Sequence, residues 1–141
     1  GYEAPTKISW STRSQSALVR IPNSRPDKPS SMRIELRNPD PACNPYLAFS
    51  VMLAAGLKGI ENSYELPESI DTLIRQNRQD EVKSIPMHLH DALSSFRASD
   101  LMKETLGPVL FEKFLQNKLF EEEEYKRYIT DFEIQKYLPV L

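Results

Sequence analysis

The stretch that decides the fold is Arg33-Ile34-Glu35-Leu36-Arg37-Asn38-Pro39-Asp40-Pro41-Ala42-Cys43-Asn44-Pro45-Tyr46-Leu47-Ala48-Phe49. Charged and aliphatic residues alternate over Met32–Arg37, which predicts a β-strand because residues two apart share a face. Asn44 is a favourable N-cap, and Pro45 then occupies the first helical position, where its missing N–H costs nothing. The stretch therefore predicts a strand that passes through a proline-rich turn into a helix.

Upstream of this stretch, the sequence predicts two further short strands. Ile8–Trp10 is the first, and Ser16–Ile21, in which apolar residues alternate with others, is the second. The three prolines of Pro22–Ser31 predict a surface loop between the second and third strands. Residues 1–44 should therefore consist of strands and loops.

Downstream of Asn44, the pattern becomes helical. The first helix should end near Asn62, and because it is apolar nearly all round we expect it to be buried on most sides. Further helical segments are predicted at Ile70–Ile74, Leu89–Phe96, Asp100–Leu106, from Gly107-Pro108 onward, and after Thr130, whose pairing with Glu133 has the form of a capping box. Residues 45–141 should therefore be mainly helical.

The composition is that of an ordinary globular domain and excludes several classes of protein. The 141 residues include 18 basic and 20 acidic side chains, a net charge of -2 that argues against electrostatic binding of nucleic acid or an anionic membrane. The longest apolar stretch, Tyr46–Leu57, falls short of the roughly 18 residues that span a bilayer. The single cysteine, Cys43, excludes an internal disulfide and fits a reducing compartment. We expect a cytoplasmic protein that binds neither nucleic acid nor membrane.

The third predicted strand carries the residues with the most chemistry. Arg33, Glu35 and Arg37 should project from one face, and Arg20 joins them if the second strand is a neighbour. A carboxylate in this setting suits a divalent metal, and guanidiniums suit carboxylate or phosphate groups. A solvated sheet face with cross-strand ion pairs gives the same alternation, so periodicity alone leaves both interpretations open.

The quoted stretch resembles glutamine synthetase, in the C-terminal part of its catalytic domain. Four other segments resemble the same family: Gly1–Pro5 its flap loop, Ser16–Pro22 the next strand, Met52–Ile60 the following helix, and Leu110–Phe114 its C-terminal helices. The resemblance covers essentially the whole chain and is dense up to Asn62. It implies an α+β fold in which a few antiparallel active-site strands precede a mainly helical part. Residues 1–141 would be a C-terminal fragment of that catalytic domain.

The resemblance also implies an activity, the ATP-dependent ligation of glutamate and ammonia to form glutamine. In the family, ATP phosphorylates the glutamate side chain and ammonia displaces the phosphate, with Mg²⁺ or Mn²⁺ at the site. The nucleotide-binding histidine region, the other metal-binding glutamates and the N-terminal β-grasp domain would all precede Gly1, so the chain alone is expected to be inactive. The family forms homo-oligomers, dodecamers of two hexameric rings with active sites between neighbouring subunits.

Roles for five residues follow from the resemblance. Glu3 matches the flap glutamate that shields the intermediate and helps to deprotonate ammonium. Arg20 matches an arginine that contacts the nucleotide phosphates, and Arg33 a second nucleotide-side arginine. Glu35 matches a metal ligand, and Arg37 matches the arginine that holds the substrate carboxylate.

The chain departs from the family pattern at Gln15, where an arginine usually contacts the substrate and the transferring phosphate. A glutamine at this substrate-binding position donates hydrogen bonds but brings no charge. Two alternatives stay open: a related ligase that couples the γ-carboxyl group to an amine, and a non-catalytic member used for assembly, for which Gln15 is the best support. The sequence Asn38-Pro39-Asp40-Pro41 favours glutamine synthetase itself over the amine ligase.

Overall fold

The computed structural model describes residues 4–140 of the chain, which divide into two compact units, the first ending at Met87 and the second beginning at His88. The first unit contains β1 (Lys7–Ser11), β2 (Ala17–Arg20), β3 (Glu35–Leu36), α1 (Pro45–Glu61) and α2 (Ile70–Arg75), with 3₁₀ helices at Pro29–Ser31 and Gln79–Glu81. The second contains α3 (Leu89–Ala98), α4 (Asp100–Arg127), α5 (Asp131–Tyr137) and a 3₁₀ helix at Leu138–Val140. A small sheet followed by a mainly helical part confirms the expected α+β fold. Within residues 4–140, no helix has the length and apolar character needed to cross a membrane.

The three strands form one sheet in the order β1-β2-β3. β2 and β3 are antiparallel, with Arg20 opposite Glu35. β1 and β2 are parallel, with Ser11 opposite Arg20, so this pair differs from the few antiparallel strands expected, which β2 and β3 provide. The physical reason is the connection: residues 12–16 double back beside β1, so β2 runs in the same direction as β1 instead of completing a hairpin. The backbone N–H of Ile21 donates to the Ser11 carbonyl at 2.9 Å and closes the end of this pair.

The other edge of β1 is paired with a later segment of the first unit. Lys7 forms an antiparallel bridge with Ser84. Ile8 N donates to Lys83 O at 2.8 Å, and Ile85 N donates to Thr6 O at 2.9 Å. This segment satisfies backbone groups that an exposed edge strand would leave unpaired.

α1 begins where the sequence predicted. The Asn44 side chain accepts from the backbone N–H groups of Tyr46, at 3.0 Å, and Leu47, at 3.3 Å, which confirms the N-cap. The expectation that this helix is buried on most sides is wrong for the described chain, since none of its residues is buried. The first unit leaves one side of the helix open, and five large apolar side chains are exposed along it: Tyr46, Phe49, Leu53, Leu57 and Ile60.

The core of the first unit lies between α2 and the sheet. Ala17, Ile70 and Leu73 are buried, and α2 packs against β1. The Trp10 indole donates to the carbonyl of Pro67, which leads into α2, at 2.7 Å. α2 is thereby fixed against the strand that precedes residues 12–16.

The second unit has its own core between α3 and α4. Leu93, Phe111 and Leu115 are buried, and the Phe96 and Phe111 rings stack with centroids 4.7 Å apart. Gly107, with φ 71° and ψ 161°, interrupts α4 immediately before a proline, which agrees with the two helical segments predicted on either side. The capping box of Thr130 and Glu133 opens α5, as predicted.

Candidate functional site

Glu35 lies between two arginines on the sheet. Arg20 Nε donates to its Oε2 at 2.7 Å across the β2–β3 pair, and Arg33 Nε donates to its Oε1 at 2.8 Å. The Glu35 side chain is 28% exposed and that of Arg20 29%, whereas Arg33 is more open to solvent. The structure thus brings together three of the residues that the sequence singled out.

The electrostatics of this triad favour the ionised carboxylate. The hydrogen bond from Arg20 is the main cause that holds the pKa of Glu35 below its ordinary value. Partial burial acts in the opposite direction, and the hydrogen bond from Arg33 and the two positive charges add to the lowering. Two guanidiniums around one carboxylate leave a net positive charge at this end of the sheet, which suits an anionic ligand.

The donor set fits a divalent cation only in part. A carboxylate oxygen is the kind of ligand that Mg²⁺ and Mn²⁺ prefer. Both oxygens of Glu35 already accept from arginines, and residues 4–140 contain no cluster of three or more side chains suited to a metal. Glu35 therefore fits as one ligand of a metal site and needs ligands from beyond the described residues.

Gln15 and Arg37 lie together at a second place, a cavity of about 600 Å³ in the first unit. The backbone N–H of Arg37 donates to the Leu18 carbonyl at 2.9 Å, which pairs this residue with β2. The side-chain Nη1 of Arg37 lies 3.5 Å from the Ala17 carbonyl. The polar residues that line the cavity are Thr6, Lys7, Ser9, Gln15, Ser16, Arg37, Gln79 and Asp80. Arg20 and Arg33 contact Glu35, and Arg37, two residues further along the chain, lines the cavity with Gln15. Glu3, the predicted flap residue, lies outside the described residues.

Sequence reasoning missed the contribution of the segment around residues 70–80. Gln79 and Asp80 line the cavity, and the buried Oε1 of Gln79 has no hydrogen-bond partner among residues 4–140. Asp71 accepts from the hydroxyl of Ser11, sixty residues away in the chain. Nothing in the local sequence signals these contacts, because they depend on how α2 packs against β1.

The comparisons with known proteins identify the family. Residues 1–137 match the family described as "Glutamine synthetase, catalytic domain". This chain belongs to that family.

Several curated relatives are named glutamine synthetase. The protein of Mycolicibacterium smegmatis is 44% identical over 98% of this chain, that of Thermotoga maritima 41% over 98%, and that of Methanococcus voltae 39% over 99%. In each case the match covers 32% of the relative, so the chain spans about a third of the length of the relatives it matches.

A solved structure has the same fold. The protein described as "Apo GmaS without ligand" superposes with a TM-score of 0.76 and 31% identity, over 96% of this chain and 30% of that one. The small sheet and the helices that follow it are therefore a shared part of a larger fold.

Proposed function

We propose that this chain is the C-terminal part of the catalytic domain of an ATP-dependent glutamate–ammonia ligase, which makes glutamine through γ-glutamyl phosphate. The family match and the names of the relatives support the reaction class. The observation that carries the proposal is the Arg20–Glu35–Arg33 triad, because each member has the chemistry that its matched position requires.

The arginines supply positive charge beside the phosphoryl group, on which negative charge develops during its transfer. Arg20 and Arg33 contact the phosphates of ATP, which planar guanidiniums bind through paired hydrogen bonds. Arg37 holds the α-carboxylate of glutamate in the cavity, and Gln15 donates hydrogen bonds to the same substrate. Such preorganised donors stabilise a phosphoryl group in transfer.

Glu35 is one ligand of a divalent cation, Mg²⁺ or Mn²⁺. When bound, the cation neutralises charge on the phosphates and the moving phosphoryl group. The ion-paired geometry keeps Glu35 ionised, which is the state a metal ligand needs. The remaining ligands come from outside the described residues.

Glu3 closes the site and helps to take the proton from ammonium. A closed flap is required because γ-glutamyl phosphate hydrolyses if water reaches it. The working protein is a cytoplasmic homo-oligomer, a dodecamer with active sites between subunits, so this chain alone has no ligase activity.

The test is an assay of the complete protein that carries this sequence. With glutamate, ATP and Mg²⁺ it should release phosphate only when ammonia is present and should form glutamine in equal amount. The 141-residue chain, assayed in parallel, should form none. Glutamine formation by the isolated chain, or its absence from the complete protein, would overturn the proposal.

A second candidate is a ligase that joins the γ-carboxyl group of glutamate to an amine, since the family match does not define the nitrogen substrate. Gln15 lines the same cavity as Arg37, so its neutral side chain alters the proposed substrate site. Methylamine in place of ammonia separates the two candidates, since the amine ligase should prefer it. A complete protein that uses neither substrate would instead support the non-catalytic assembly role.

A further inference from the structure

Ser11, at the end of β1, is completely buried, and its hydroxyl makes three hydrogen bonds. It donates to Asp71 Oδ2 at 2.5 Å. It accepts from the backbone N–H groups of Arg13, at 2.8 Å, and Ser14, at 2.6 Å. The hydroxyl therefore ties α2 to residues 12–16, the loop that joins β1 to β2.

The direction of these hydrogen bonds is fixed by chemistry. A hydroxyl has one proton and two acceptor positions, and an ionised carboxylate only accepts. Because the Ser11 hydroxyl donates its hydrogen bond to Asp71, both of its acceptor positions are available to the N–H groups of the loop. Without the carboxylate as its acceptor, the O–H bond of Ser11 would no longer have a fixed direction. Its rotation toward either N–H group would weaken the hydrogen bond from that group.

The carboxylate itself is held in place by the core. Asp71 lies between the buried Ile70 and the nearby buried Leu73, on the helix that packs against β1. The packing of that helix therefore fixes the backbone position from which the Asp71 side chain reaches Ser11.

The loop that this anchor holds leads directly into the cavity. Gln15 and Ser16 line the cavity. The backbone N–H of Ser14 donates to Ser11. The hydroxyl oxygens of Ser14 and Ser16 lie 2.8 Å apart, within hydrogen-bond distance. Gln15 thus lies between two residues that are fixed by hydrogen bonds.

We propose that Ser11 and Asp71 are positioning residues that set the place of Gln15 in the cavity and thereby the affinity for glutamate. This inference rests on the proposed function in taking the cavity as the glutamate site. Neither residue lines the cavity, so both act through the loop.

The experiment uses the complete protein and four variants: Ser11→Ala, Ser11→Cys, Asp71→Ala and Asp71→Asn. Asp131→Ala is the matched control, since it also removes an acidic residue from the first turn of a helix but is exposed in the second unit. Hydrogen–deuterium exchange of the peptide that covers residues 12–16 reports on the anchor without any activity. Steady-state kinetics separate KM for glutamate from kcat.

Loss of a buried hydrogen bond should speed exchange at residues 13 and 14 about tenfold in Ser11→Ala and Asp71→Ala. KM for glutamate should rise about fivefold in both, with kcat changed less than twofold. Asp71→Asn keeps an acceptor oxygen and should stay near wild type, whereas Ser11→Cys, with a larger sulfur that donates and accepts only weakly, should lie between. The control should change neither quantity.

Unchanged exchange in Ser11→Ala and Asp71→Ala would overturn the anchor. Faster exchange with an unchanged KM would overturn its link to glutamate. If the alanine variants fail to fold, Ser11→Cys, which leaves no cavity, decides both points by the same readouts. If the wild-type protein has no ligase activity, the proposed function fails, and the exchange measurement still decides the anchor.

Discussion

Arg20 and Glu35 are direct partners across the antiparallel β2–β3 pair, and the arginine Nε donates to the carboxylate Oε2 at 2.7 Å. A shift of one residue in register would move the two side chains to opposite faces of the sheet. The ion pair therefore requires this register, and it stabilises the pairing of β3 with β2. β3 is short and consists only of Glu35–Leu36. Since Arg33 contacts the other carboxylate oxygen, one glutamate organises both arginines of the proposed phosphate site.

Glu35→Ala in the complete protein should abolish glutamine formation and weaken the binding of Mn²⁺ by at least about tenfold, because the site loses a charged oxygen ligand. Calorimetric titration with Mn²⁺ and the coupled phosphate assay measure the two effects. Circular dichroism and gel filtration should show that the protein still folds and assembles.

The matched control for this substitution is Glu81→Ala. Glu81 is also a glutamate paired with an arginine, Arg78 at 2.8 Å, and its pKa is likewise lowered mainly by the hydrogen bond from that arginine. It does not line the cavity that holds Arg37, so activity and Mn²⁺ affinity should be preserved. Normal activity in Glu35→Ala would remove Glu35 from the metal site.

The stability that the triad provides should depend on pH in a defined direction. The pKa of Glu35 is lowered in the folded chain, from an ordinary value of 4.5, chiefly by the Arg20 hydrogen bond. A lowered folded-state pKa means that the contribution is complete above about pH 4.5 and is lost as the pH falls through the folded-state value. Urea denaturation of wild type and Glu35→Gln should show the largest difference near neutral pH and a shrinking difference in acid. A difference that grows in acid would contradict the ion pair.

Gln15→Arg should restore charge at the substrate position and raise kcat by about tenfold or more, because an arginine aimed at a moving phosphoryl group stabilises the transition state. Gln116→Arg adds the same charge on an exposed part of α4 and should leave the rate unchanged. Both rates come from phosphate release at saturating glutamate and ATP. An equal or lower rate in Gln15→Arg, with the fold intact, would show that the site is built around the glutamine.

Local signals in the sequence predicted the helices well. The N-cap at Asn44, the interruption at Gly107 and the capping box that begins at Thr130 all act within a few residues, and the structure shows each of them. Backbone dihedrals and side-chain caps are properties of short segments, so a single sequence reveals them.

Relationships between distant segments could not be predicted in the same way. The parallel pairing of β1 with β2 depends on the path of residues 12–16, and the place of Arg37 in the cavity depends on how α2 packs against the sheet. The anchor between Ser11 and Asp71 spans sixty residues of chain. Strand alternation indicates which residues share a face but not which groups from other elements meet them.

Glu122 is a buried carboxylate, 8% exposed, that should stabilise the second unit. Its Oε1 accepts from Lys126 Nζ at 2.7 Å and lies 3.0 Å from His90 Nδ1 on α3. The Lys126 hydrogen bond is the main cause that lowers the pKa of Glu122, burial opposes it, and His90 adds to the lowering. Glu122→Ala should therefore lower the Tm by several degrees more than Glu123→Ala, whose partner Arg127 lies on the same helix and is exposed. Thermal scans of both variants decide this, and equal Tm values would mean that the contact between Glu122 and His90 adds nothing to stability.

The isolated 141-residue chain should self-associate, and α1 should be the surface responsible. Tyr46, Phe49, Leu53, Leu57 and Ile60 recur at three- and four-residue spacing along one exposed side of that helix. A contiguous apolar stripe of this kind is typical of an interaction surface. The sheet has less unpaired strand edge available for association. The outer edge of β1 is paired with the segment around Ser84, and β3 has only two residues.

Light scattering over a range of concentrations should therefore show oligomers of the wild-type chain and a marked shift toward monomer in Leu53→Glu, since a charge in the middle of the stripe must be desolvated on association. Ile34→Lys is the matched control, because it places a charge at an equally exposed apolar residue beside β3. It should leave the association unchanged. If Ile34→Lys dissociates the oligomers and Leu53→Glu does not, the sheet edge is the contact, and the exposed side of α1 has no part in it.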